Sequence, residues 1–104
     1  MNKILNKISD IIESYESGAW VTSENLRIML RELSTNKYYL TKYNIEAYKK
    51  YNSIVYNCKK SVAYGKTLAD EQVPELRMTR KILEACKDVI MSMQQELSII
   101  KNDK

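Results

Sequence analysis

Residues 74–100 read PELRMTRKILEACKDVIMSMQQELSII. Leu76, Thr79, Leu83, Cys86, Ile90, Met93, Leu97 and Ile100 recur there at alternating spacings of three and four. That repeat lines side chains along one seam of an α-helix. Ile82 and Val89 widen the seam, and Pro74 stands where a first helical turn tolerates a missing N–H. The pattern predicts a long amphipathic helix over 74–101. Its seam must be covered by another helix or by a second copy of the chain.

The nearest candidate for that cover lies upstream. Residues 35–66 read TNKYYLTKYNIEAYKKYNSIVYNCKKSVAYGK and hold seven of the eight tyrosines. With about 100° per residue and Leu40 as reference, Tyr43, Ala47, Tyr51, Ile54, Cys58 and Val62 fall within roughly 60° of one line. Tyr43 and Tyr51 therefore read as packing groups. A helix is predicted over 37–69, joined through a short link at Asp70–Val73 to the last helix as an antiparallel hairpin.

Two shorter helices precede it. Ile4, Leu5, Ile8, Ile11, Ile12 and Tyr15 give a stripe over 3–17, with Gly18 as the C-terminal stop. Thr22 reads as the N-cap of a helix over 23–34, with Val21 and Leu26 at the spacing of a hydrophobic staple. Ser34-Thr35-Asn36 reads as a break. Two glycines and one proline leave little material for β-turns. The expected fold is all-α: residues 1–104 form one bundle-like domain built on a long antiparallel helical hairpin with two shorter N-terminal helices.

Composition removes much chemistry. The chain has no histidine and two cysteines, Cys58 and Cys86. A zinc site needs four ligands of those types, so the cysteines read as reduced, buried thiols. Tyr64-Gly65-Lys66-Thr67 is similar to the end of a phosphate-binding loop but lacks the upstream glycine. Asp70, Glu71 and Glu75 suit the start of a helix, whose dipole favours acids. The expectation is a protein that is not an enzyme and needs no cofactor and no metal. No segment approaches the roughly 18 apolar residues of a membrane span, so no membrane partner is expected and the chain is placed in the bacterial cytoplasm.

Charge is where the sequence speaks of function. Residues 35–66 contain seven lysines against the single acid Glu46, a formal +6, whereas 1–34 and 67–104 each come to −1. Opposite the core line of that helix, Tyr38, Lys42, Lys49, Tyr56 and Lys60 align within about 30°, with Lys59 bordering them. Arg77, Arg80 and Lys81 form a second basic patch at the start of the last helix. Unpaired lysines beside tyrosines suit a polyanion whose bases can stack, and the scarcity of arginine argues for backbone contact without base readout. The same residues also suit an acidic protein surface, or a merely solvated helix face. Trp20, between the first two helices, reads as a plug for the bundle end or else as an exposed interface anchor.

The run YNSIVYNCKKSVAYGKTLADEQ followed by VPELRMTRKILEACKDVIMSMQQELS resembles small all-helical phage accessory proteins of recombination and replication modules. The likeness covers about the C-terminal two thirds and is one of texture: a basic, tyrosine-containing helix, an acidic turn, Pro-Glu-Leu, then a long amphipathic helix. It implies a partner that is single-stranded nucleic acid or a protein of a nucleic-acid-processing complex. It also implies homo-oligomers, here through the seam of Leu83, Ile90, Met93 and Leu97. The alternative is a stoichiometric inhibitor of host defence, similar to anti-CRISPR proteins, that occupies a partner surface.

Overall fold

The computed structural model describes residues 1–20 and 22–102. It contains four helices and, among the described residues, no strand: α1 (Asn2–Glu16), α2 (Ser23–Asn57), α3 (Val62–Gln72) and α4 (Glu75–Asn102). The end of α1 and the start of α2 follow the sequence signals. Gly18 takes φ +75°, its N–H reaches the Tyr15 carbonyl and that of Ala19 the Ser14 carbonyl. This is a Schellman closure, which a residue with a Cβ resists. Thr22 Oγ1 accepts from the Asn25 N–H at 3.1 Å, as an N-cap does. The proposed staple needs Val21, which lies outside the described residues, as do Asp103 and Lys104 of the tail.

Residues 34–36 form no break. Thr35 Oγ1 donates to the Arg31 carbonyl at 2.9 Å and Asn36 Nδ2 to the Glu32 carbonyl at 2.8 Å. Polar side chains that bond back to the preceding turn can stay within a helix. Leu33 and Leu40, both fully buried, carry the core stripe straight across. The helices read as 23–34 and 37–69 are therefore one 35-residue helix that ends at Asn57.

The break comes instead at Cys58–Ser61. Cys58 turns to an extended ψ of 120°, and Ser61 caps α3 by accepting from the Tyr64 N–H at 3.1 Å. Gly65 does not stop a helix. It lies buried inside α3, where an added Cβ would meet Cys58 Cβ at 3.0 Å and the Val55 backbone at 3.3 Å. The missing side chain lets α3 fold back closely onto α2. Val62, expected on the core stripe, is 65% exposed because the helix that would have carried it there has ended.

After Gln72 the chain is deflected at Val73-Pro74, and α4 continues in the same sense as α3, antiparallel to α2. The Pro74 carbonyl accepts the Met78 N–H, so proline sits at the helix start as expected. α2 is thus paired along its length, first with α4 and then with α3, while α1 covers α2 and α4. The result is a three-helix body that continues into a two-helix arm, 63 Å long in all. One apolar cluster, with Ile8, Leu26, Leu33, Leu40, Cys86 and Met93, fills the body. A smaller one, Ala47 with Val73 and Leu76, sits at the root of the arm. Among the described residues, no helix is long and apolar enough to cross a membrane.

This arrangement uses the seam expected to join copies. Met93 is fully buried, and Leu83, Ile90 and Leu97 pack against the body's core. An intramolecular partner was available because α2 is unbroken and reaches back along α4. Trp20 closes the base of the body: its ring stacks on Tyr15 at 6.0 Å and its Nε1 donates to the Tyr15 carbonyl at 3.1 Å.

Candidate nucleic-acid interface

A straight α2 gives its outer face a single register. Relative to Leu40, Tyr38, Lys42, Lys49 and Tyr56 lie within about 20° of the opposite direction. All four are exposed, Tyr38 at 60% and Tyr56 at 89%. Because no break intervenes, exposed Arg31 falls on the same line. The break read at residues 34–36 concealed it, whereas an unbroken 3.6-residue register from Leu26 to Leu40 points to it. From Arg31 to Tyr56 the stripe spans about 38 Å at 1.5 Å per residue.

Charges on the stripe have little to neutralise them. The one ion pair among the described residues joins Arg77 Nη2 to Asp70 Oδ2 at 3.4 Å, with Arg77 largely exposed. One of its lysines, Lys42, turns instead to aromatic faces. Lys42 Nζ lies 4.9 Å from the Tyr38 ring centroid and 5.9 Å from that of Tyr39. Such cation–π contacts at exposed sites contribute about 0.5–1 kcal/mol and leave the ammonium available to an anion.

Several expected members lie elsewhere. Lys60 is not on α2: the loop at Cys58–Ser61 carries it to the arm tip, its Nζ 4.8 Å from the Tyr64 ring. Lys59 is exposed in the same loop, so both lysines sit at the arm tip, past the end of α2. Arg77, Arg80 and Lys81 are exposed on α4. They point away from α2, as the stripe points away from α4, and so they occupy the opposite flank and do not prolong it. Arg77 also holds Asp70 across the α3–α4 joint. Asp70, Glu71 and Glu75 form no metal-binding group; none is found among the described residues.

Of the two tyrosines assigned to packing, only Tyr51 packs, half-buried beside Ile54 at the arm root. Tyr43 is 41% exposed. It stands about 60° off the core line, on the side of α1, where its Oη accepts from the Met1 backbone nitrogen at 3.5 Å. Tyr43 and Tyr39 line an open groove of about 680 Å³ between α1 and α2. Comparison with protein-family models, curated proteins and solved structures gave no match.

Proposed function

We propose that this protein is a non-enzymatic accessory factor, of a phage or mobile element, that holds single-stranded nucleic acid along the outer face of α2 and around the arm tip. The observation that carries this is the stripe of exposed Tyr38, Lys42, Lys49 and Tyr56, which no carboxylate among the described residues pairs with. Its tyrosines are too far from the core line to be explained by burial. Its lysines are point charges suited to phosphates of any sequence. Stacking of a base on an exposed ring contributes about 1–3 kcal/mol.

The binding unit in this proposal is one chain, since Leu83, Ile90, Met93 and Leu97 are engaged in its own core. Avidity comes from repeated contacts along one strand. The test is fluorescence anisotropy of a labelled 15-nucleotide oligothymidylate. Binding should weaken several-fold with Tyr56→Ala and with Lys49→Glu, both exposed positions whose replacement leaves the core intact. Absence of binding at low salt removes this function and leaves occupation of a protein surface, as an inhibitor of host defence would do it.

A further inference from the structure

We infer that the groove between α1 and α2 is a subsite for a nucleobase of the bound strand. This rests on the reading of α2 as a nucleic-acid face and adds where a base leaves that face. Tyr39 and Tyr43 form one wall, with Ile4 of α1 opposite and buried Ala47 beneath. At about 680 Å³ the groove falls within the range of small-molecule sites, ~300–1,000 Å³. Two half-exposed tyrosines facing a concave apolar floor present π-faces that the core does not use.

Charge decides which part of a nucleotide enters. Glu46 and Glu75 also border the groove, beside the Met1 ammonium, and two carboxylates against one ammonium disfavour a phosphate there. They accept hydrogen bonds from the ring N–H and amino groups that bases carry. The phosphate has its own place at the rim, where Lys42 and Lys50 stand. Lys42 belongs to both features: its ammonium lies against Tyr38 of the stripe and Tyr39 of the groove. A phosphate held by Lys42 therefore leaves its base at the groove mouth, where the ring can slide against Tyr39 and Tyr43.

The test compares labelled 15-mer oligothymidylate with an abasic 15-mer of the same backbone charge, by anisotropy at low salt. The intact protein should prefer the base-bearing strand by about tenfold or more. Tyr39→Ala and Tyr43→Ala should each reduce that preference several-fold while leaving abasic affinity unchanged. Tyr39→Phe, which keeps the ring, should retain it. Unchanged preference in both alanine variants overturns the subsite and leaves the stripe standing. Equal affinity of the intact protein for both strands overturns base capture in favour of backbone binding alone. Failure to bind either strand overturns the nucleic-acid reading, and the subsite with it.

Discussion

The side-chain amide of Asn44 donates to the hydroxyl of Thr79 at 2.9 Å, where α2 and α4 meet at the root of the arm. Thr79 is fully buried in an otherwise apolar seam, and its hydroxyl passes a hydrogen on to the Glu75 carbonyl at 2.7 Å. A polar pair inside a seam fixes one register, because a slipped alignment leaves both groups unpaired. In a double-mutant cycle of Thr79→Val and Asn44→Ala, urea denaturation should return a coupling of roughly 0.5–1.5 kcal/mol. A coupling near zero means that the two residues do not set the register.

Gly65 faces Cys58 and the Val55 backbone so closely that a methyl group would have to push them apart. Gly65→Ala gains about 1 kcal/mol of helix propensity, but overpacking costs typically 1–3 kcal/mol. The net effect should be loosening of the arm by about 1 kcal/mol. Amide exchange should accelerate in Val62–Gln72 and remain unchanged in α1. Slower exchange in α3 would show that the helices do not approach this closely.

Cys86 is fully buried and burial pushes its thiol above the ordinary range, whereas Cys58 is half-buried at the helix break. Thiolate is the reactive form. A thiol reagent at neutral pH should label Cys58 first, and Cys86 only on unfolding. Equal rates in the folded protein would contradict the position of Cys86 in the core.

Tyr15 Oη donates to Glu96 Oε1 at 2.9 Å. Burial, then the hydrogen bond and negative charge of Glu96, raise its pKa above the ordinary 10.0. A folded-state pKa above the unfolded one means that the protonated phenol stabilises the fold. The contribution is complete below about pH 10 and is lost as pH rises through the folded-state value. Tyr15→Phe should therefore lower stability at neutral pH, and the gap to the wild type should narrow above pH 10. A gap that widens in alkali would contradict the assignment.

The all-α class was legible because the three-four spacing of Leu76 through Ile100 admits no strand. The caps at Gly18 and Thr22 were legible because each depends on local chemistry alone. Helix boundaries further along were not. Ser34-Thr35-Asn36 has the composition of a break, yet Leu33 and Leu40 need one continuous stripe, and tertiary burial outweighs local preference. Gly65 gave no sign of its role, which is contact with a neighbouring helix that only the fold-back brings near. Tyr38, Lys42, Lys49 and Tyr56 stay on one exposed line because all four lie on the part of α2 between residues 37 and 57, where no break disturbs the register. Lys60 moved with the loop, and Tyr43 moved because it stands about 60° off the core line, toward the open groove beside α1.

The salt dependence of strand binding tests the central claim most directly. If phosphates sit on the α2 stripe, log K against log salt for the oligothymidylate should fall with a slope of about −0.7 per phosphate neutralised. Replacing both Lys42 and Lys49 by glutamine should make that slope shallower by about 1.4 and weaken binding at low salt. A slope unchanged by the double replacement, or no binding at low salt, would contradict the assignment of this face.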